Sequence, residues 1–299
     1  MKILLLGKGG QVGWELQRSL APLGSVLALD FDSTEGCGDF TRPEALAATV
    51  RDYAPQIIVN AAAHTAVDRA ESEPELARMI NATAPAALAR EARALGAWLV
   101  HYSTDYVFDG SGEQPWRESD VPDPLNVYGQ TKLEGERAVQ AGCERHLIFR
   151  TSWVYGARGG NFAKTMLRLA GERDQLQVID DQIGAPTGAD LLADVTALAV
   201  RQAMSDRQPD SWAGLYHLAA AGQTSWHGYA SHVIEQAMRS RPDLPLRVRE
   251  IKPVATSAFP TAARRPHNSR LDTSLLKARF SLNLPPWQQG VDRMLAEIL

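Results

Sequence analysis

The segment VYGQTKLEGER, residues 127–137, places Tyr128 four positions before Lys132. Four residues are about one helical turn, so on a helix the phenol and the ammonium share a face. Two readings are open at this point: a pair that handles a proton, or an exposed ladder of polar side chains. Upstream, HYSTDYVFDG (101–110) follows an apolar run and carries Thr104. If that run is a strand of a parallel sheet, Thr104 lies at its carboxyl end, where such sheets hold ligands. Hydroxyl, phenol and cation would then converge. Tyrosine ionises near ~10, too high for easy proton exchange at neutral pH, and a nearby ammonium favours the phenolate. The expectation is that Lys132 tunes Tyr128 while Thr104 hydrogen-bonds the reacting oxygen. Taken singly, each residue also has a plain alternative: a capping threonine, a packed tyrosine, a surface lysine.

A second constellation lies near the start. GKGGQVG (7–13) follows the run KILLL and spaces Gly7, Gly10 and Gly13 three apart, with Gly9 between them. A pyrophosphate needs a tight turn, a backbone it can approach closely, and amide donors at a helix N-terminus. Asp30, 20 positions after Gly10 and at the end of the next apolar run, is suitably placed for a ribose hydroxyl. Its charge would also repel a 2′-phosphate, favouring NADH over NADPH. The alternative is a structural turn with a solvated aspartate. NAAAHT (60–65) offers small residues against which a flat cofactor ring could lie, or tight helix packing.

These residues need a frame. KILLL (2–6), VLAL (26–29), IIVN (57–60), WLVHYS (98–103) and HLIFR (146–150) read as short buried strands. Between them, QVGWELQRSLAPL, RPEALAATVRDYA and PELARMINATAPAALAREARAL have helical periodicity. That alternation predicts an α/β fold with a Rossmann-type doubly wound parallel sheet covered on both faces. After FRTSWVYGARGGN (149–161) the rhythm changes: a helix at NFAKTMLRLA, an irregular DDQIGAPTGAD, another helix through Val200, then a proline-rich final third. A core followed by a smaller, loop-rich lobe is expected.

The bulk numbers exclude several classes. With 44% hydrophobic and 22% charged residues in 299, the chain is long enough for a large core. A net charge of −4 argues against nucleic acid or an anionic membrane as the main partner. The two cysteines, Cys37 and Cys143, are far apart and imply no disulfide framework, which fits a reducing, cytoplasmic setting. The N-terminal apolar run is too short for a signal peptide, and no stretch approaches a membrane span. His227 and His232 are five apart and are not the one-turn pair of a zinc helix.

On the segments quoted, together with NAAAHTAVDRAESEPE, LNVYGQTKLEGE, RTSWVYG, DQIGAPTGADLLAD, GLYHL and RRPHNSRL, the chain resembles the extended short-chain dehydrogenase/reductase family over nearly its whole length, and within it the reductases of 4-keto dTDP-sugars. The resemblance implies reduction of the C4 keto group of dTDP-4-dehydro-6-deoxy-L-mannose to dTDP-L-rhamnose by NADPH or NADH. It implies cofactor contacts from Gly10, Gln11, Val12, Asp30, Asp39, Phe40, Ala63, His64, Thr65 and Tyr102. Tyr128 would be the proton donor, Lys132 would bind the nicotinamide ribose, and Thr104, Asp105 and Trp153 would meet the sugar nucleotide. It divides the chain into a dinucleotide-binding core, 1–150 rejoined by about 188–216, and a sugar-nucleotide lobe, 151–187 and 217–299. It also implies a homodimer with a magnesium ion held by interface glutamates. Glu15 matches that pattern, but position 190 is the shorter Asp190, so no metal ligand is assigned. Dehydratases of the superfamily look like Thr-Asp-Glu where this chain has Thr104-Asp105-Tyr106; a tyrosine there disfavours water loss. An epimerase is not excluded by the triad, nor is a non-catalytic nucleotide-binding regulatory subunit.

Overall fold

Both faces of the first strand are buried. In β1 (Lys2–Leu6), Ile3 and Leu5 pack against one hydrophobic cluster while Leu4 and Leu6 pack against another, all four at 0% exposure. Successive strand side chains point to opposite faces, so the run KILLL demands cover on both sides. The computed structural model, which describes residues 1–206 and 209–299, supplies it.

The chain continues through α1 (Gln11–Leu20), β2 (Ser25–Leu29), α2 (Pro43–Tyr53), β3 (Ile57–Asn60), α3 (Val67–Ser72), α4 (Pro74–Arg78), α5 (Ala84–Leu95), β4 (Trp98–Thr104), α6 (Val127–Gly142) and β5 (His146–Thr151). It then runs through β6 (Val154–Tyr155), α7 (Phe162–Glu172), β7 (Gln175–Ile179), β8 (Ile183–Gly184), β9 (Thr187–Gly188) and α8 (Ala189–Ser205). The remainder comprises β10 (Gly214–His217), β11 (Thr224–Ser225), α9 (Trp226–Ser240), β12 (Glu250–Val254), α10 (Ser274–Phe280) and α11 (Trp287–Ile298).

Six strands form one parallel sheet in the order β10-β5-β4-β3-β1-β2. Leu16 and Leu20 of α1 with Leu192 and Val195 of α8 cover one face; Leu46 of α2, Leu88 of α5 and Val139 of α6 cover the other. The strand order reverses at β1, which lies between β2 and β3, so the crevice beyond the carboxyl ends of β1, β3 and β4 is the expected ligand site. The doubly wound sheet read from the sequence is present.

The later lobe is built on three two-stranded ladders, β7 with β12, β8 with β11 and β6 with β9. Tyr229, Val233, Trp287 and Val291 join α9 to α11, and Met166, Leu176 and Ile234 join α7, β7 and α9. Three local features differ from the sequence reading. GLYH at 214–217 is the sixth sheet strand, which its four residues do not announce. The helix expected over 74–95 contains a π-helical turn at Met79–Thr83. Leu276, Phe280 and Leu284, assigned above to the lobe, pack instead into the cluster under the sheet with α8. Residues 207 and 208, within the segment expected to rejoin the core, lie outside the described residues. Among the described residues no helix is long and apolar enough to cross a membrane.

Candidate active site

The turn after β1 separates the roles of its glycines. Gly7 has φ +86°, and a Cβ there would lie 2.7 Å from the Ala62 amide nitrogen, so only glycine fits between the first and third turns. A Cβ at Gly13 would lie 1.9 Å from the Gly7 carbonyl. Both are demands of the fold itself. Gly10 is different: a Cβ there meets nothing closer than the Gly7 carbonyl at 3.5 Å. Gly10 caps α1 without any side-chain cap bond, so first-turn amides remain available to an anion. The Gly10 position faces a cleft of about 540 Å³, lined there by Gly7, Gln11, Val12 and Asp30. A cleft of that size, opening onto an uncapped helix start, fits a dinucleotide.

Asp30 is more constrained than its sequence position suggests. Its Oδ2 accepts from the Gly9 amide at 2.9 Å and its Oδ1 from the Phe31 amide at 3.0 Å. The carboxylate therefore ties the phosphate turn to the end of β2. Its remaining lone pairs can still accept from a ribose.

The chemistry-bearing residues meet on the opposite wall. β4 ends at Thr104, in register with Thr151 of β5, so both project at the sheet's carboxyl edge. Asn126 caps α6 by accepting from the Gly129 amide at 2.8 Å, and the helix then presents Tyr128, Lys132 and Glu136 at one-turn intervals. Close packing sets its position: a Cβ at Gly129 would lie 2.1 Å from the Tyr106 carbonyl, and one at Gly135 2.1 Å from the Asn81 carbonyl. Thr104, Asp105, Tyr128 and Lys132 all line the cleft. The fold thus places Thr104, Tyr128 and Lys132 in one cleft.

Its electrostatics depart from expectation. Burial raises the Tyr128 phenol well above its ordinary value, and the neighbour that eases ionisation is the Thr104 hydroxyl, while Asp105 opposes it. Lys132 instead donates to the Tyr102 backbone carbonyl at 2.6 Å. Burial lowers its ammonium to about 8, against the attraction of Glu136. Glu136 is itself held by Arg150 through bonds of 2.8 and 2.6 Å. In this arrangement the ammonium is turned to the Tyr102 carbonyl rather than to the phenol, and the group that eases ionisation of Tyr128 is the Thr104 hydroxyl. Burial also pushes the Asp105 carboxyl up to about 7, opposed by the hydroxyls of Ser269 and Thr104. Thr104 donates to Asp105 Oδ1 at 3.1 Å.

Ala63, Thr65 and Tyr102 line the cleft as expected, although the Tyr102 phenol is turned to Thr196 at 2.6 Å. Three residues implied by the resemblance do not line it. Asp39 Oδ1 accepts from the amide and hydroxyl of Thr41. Phe40 is buried with Leu46 and Val50 under the sheet. The backbone of His64 is held by both ends of the Asn81 amide, at 2.9 and 3.1 Å, and its ring lies 3.8 Å from Glu73. Trp153 does line the cleft, with the unusual φ of +49°. Such a backbone costs a bulky residue on the order of 1–3 kcal/mol and persists only where surroundings enforce it. Trp226, Thr151, Ser152 and Val67 also line the cleft without having been singled out from the sequence, since their approach depends on how distant elements dock.

The magnesium site implied above is not assembled within one chain. Glu15 pairs with Arg18 at 3.4 Å and Asp190 faces Arg293 at 3.9 Å. Among the described residues no group of three or more His, Cys, Asp or Glu could hold a metal ion. His227 and His232 bond separately, to the Ile251 carbonyl and to Asp292.

Sheet, phosphate turn and Thr-Tyr-Lys cleft together define an extended short-chain dehydrogenase/reductase. A family model described as the RmlD substrate binding domain matches residues 1–299, and the chain belongs to that family. It is 61% identical over 298 residues to the dTDP-4-dehydrorhamnose reductase of Escherichia coli (strain K12), across 100% of this chain and 98% of that protein. Among solved structures, the dTDP-4-dehydrorhamnose reductase of Clostridium acetobutylicum superposes with a TM-score of 0.89 at 34% identity, covering 99% of each chain. That of Bacillus anthracis, in complex with NADP, superposes at 0.86 with 34% identity, again covering 99% of each.

Proposed function

We propose that this protein reduces the C4 keto group of dTDP-4-dehydro-6-deoxy-L-mannose to give dTDP-L-rhamnose, using NADPH or NADH. The observation that carries the reading is the convergence of Thr104, Tyr128 and Lys132 beside an uncapped phosphate turn, in one cleft. End-to-end similarity to proteins named for this activity supports it.

The bound nicotinamide supplies the hydride. Tyr128, kept protonated by its burial, is suited to give a proton to the sugar oxygen as charge develops there. The Thr104 hydroxyl has a single proton, now directed at Asp105; turned to the substrate oxygen, it would stabilise the same charge. Lys132 holds the Tyr102 carbonyl at the cleft wall and can present its remaining donors to a ribose. The first turn of α1 takes the pyrophosphate, with Gln11 and Val12 beside it. Residues 1–150 with 188–216 serve the dinucleotide, and the later lobe closes the sugar-nucleotide side through Trp153. The same reading includes a homodimer in the cytoplasm, which light scattering on the purified protein and fractionation of cells would examine.

The test is NAD(P)H oxidation with a panel of 4-keto sugar nucleotides, followed by product identification. Oxidation with the dTDP-linked 6-deoxy sugar and release of dTDP-L-rhamnose is expected. A protein that binds NAD(P)H but turns over none of the panel would favour the regulatory-subunit alternative.

A further inference from the structure

Trp153 does not hold its left-handed backbone alone. Its indole stacks on that of Trp226, with ring centroids 3.7 Å apart and planes within 14°. On another side a Cβ at Gly184 would lie 2.7 Å from Trp153 Cε2, so the glycine of β8 gives the ring its seat. The Trp153 carbonyl accepts from the Thr187 amide at 3.2 Å, where β6 begins to pair with β9. Trp226 is fixed in turn: its Nε1 donates to Gln182 Oε1 at 3.0 Å, and Gln182 is 2% exposed and donates to Thr256. Ser225 caps α9 through the Gly228 amide, which sets where the first residue of that helix, Trp226, begins. Both indoles line the cleft that holds Thr104 and Tyr128.

We propose that Trp226 is a positioning residue for the sugar: through the stack it holds the Trp153 indole as a flat apolar platform for the carbon face of a deoxyhexose ring. The proposal rests on the reductase reading above and concerns the sugar side of that site. Three features support it. Trp153 follows Thr151, the register partner of Thr104, by two residues, so the platform starts at the sheet edge where the reacting oxygen must lie. The only polar atom of the Trp226 ring is already engaged, so the supporting surface is apolar. A strained, over-determined backbone at a cleft is where a fold holds a ligand-facing group in place. A deoxyhexose offers a C–H face and a methyl group to such a surface, whereas a fully hydroxylated ring edge does not.

The experiment compares wild type with Trp226→Ala, Trp226→Phe and Gly184→Ala in steady-state reduction of a dTDP-linked 4-keto 6-deoxy sugar, with NAD(P)H binding and circular dichroism measured on each. Stacked indoles couple excitonically, so wild type should show a far-ultraviolet couplet that Trp226→Ala abolishes. Trp226→Ala should raise the sugar-nucleotide KM at least tenfold, with a much smaller change in kcat and unchanged NAD(P)H affinity. Trp226→Phe, which keeps a flat ring, should restore most of the KM. Gly184→Ala crowds the Trp153 ring at Cε2 and should raise KM in the same way, which keeps the test decisive if Trp226→Ala does not fold. An unaltered KM in Trp226→Ala, or in Gly184→Ala, overturns the platform; so does a loss in which NAD(P)H affinity falls equally and phenylalanine gives no rescue. A wild type without turnover overturns the reductase reading itself, an outcome distinct from these.

Discussion

Lys132 donates its ammonium to the backbone carbonyl of Tyr102, 2.6 Å away, rather than to the phenol one turn before it on the same helix. The carbonyl belongs to β4, two residues before Thr104, so the bond fastens α6 to the strand that carries the hydroxyl of the site. Two consequences can be measured for Tyr128 and Lys132, one for Asp105 beside Thr104, and two for the phosphate turn.

Tyr128→Phe keeps the ring and its edge-to-face contact with Tyr106, at 5.6 Å and 76°, while deleting the hydroxyl. Single-turnover oxidation of bound NAD(P)H should slow by at least ~10²-fold, the lower range for a positioned general acid. Cofactor affinity should be nearly unchanged. A wild-type rate would remove the phenol from the proton step.

Lys132→Met should weaken cofactor binding and turnover together, yet stabilise the fold. Folding depresses the ammonium from 10.5 to about 8, so the charged form is disfavoured in the native state. The cost is full below pH 8 and is relieved as pH rises from 8 towards 10.5. Methionine should therefore gain up to ~3 kcal/mol at pH 7, an upper bound from the size of the shift. The gain should vanish above the lysine's ordinary value. If the ammonium is needed for turnover, the wild-type rate should fall as pH passes through about 8. Denaturant melts across pH and a pH–rate profile read the two effects separately.

Asp105 behaves oppositely to a salt-bridged carboxylate. Its folded value, about 7, lies above the ordinary 3.8, so folding favours the protonated form. Stability from this group is present below pH 3.8 and is lost as pH rises through 7. Asp105→Asn should be the more stable protein at pH 8, by at most roughly 4 kcal/mol, and should flatten the stability profile between pH 4 and 7. Parallel pH profiles for the two proteins would refute the assignment.

Gly10→Val and Gly13→Ala should fail in different ways. The first places a side chain in open cleft, so NAD(P)H affinity should fall by more than ~10-fold through lost charge-assisted bonds, with little change in melting temperature. The second drives a methyl into the Gly7 carbonyl and should destabilise by about 1–3 kcal/mol or more. Titration calorimetry and thermal melts distinguish them.

Asp30→Ser separates a ribose contact from a brace. Loss of charge alone should shift the ratio of kcat/KM towards NADPH. Loss of the bonds from the Gly9 and Phe31 amides should weaken both cofactors. The structure leads to both effects, with the common loss the larger. A clean switch of preference without common loss would show that the two amides do not depend on Asp30.

What the sequence determined is what a short window of chain can encode. The strands KILLL and IIVN, the amphipathic helices and the Tyr128–Lys132 spacing all follow from periodicity and apolar runs, because burial selects side chains within one element. The phosphate turn was legible because Gly7 requires a backbone that other residues resist. The tertiary structure alone decided which distant atoms those local units would meet. It set Lys132 against a carbonyl 30 residues away, closed Asp30 over Gly9, added GLYH as a sixth strand and stacked Trp226 on Trp153. It also drew Phe40 into the core and Leu276 and Phe280 under the sheet. Even where a local pattern exists, as for Leu276 and Phe280 one turn apart, it does not name the partner, because each contact is fixed by the shape of two packed surfaces and by the need of buried polar groups for partners.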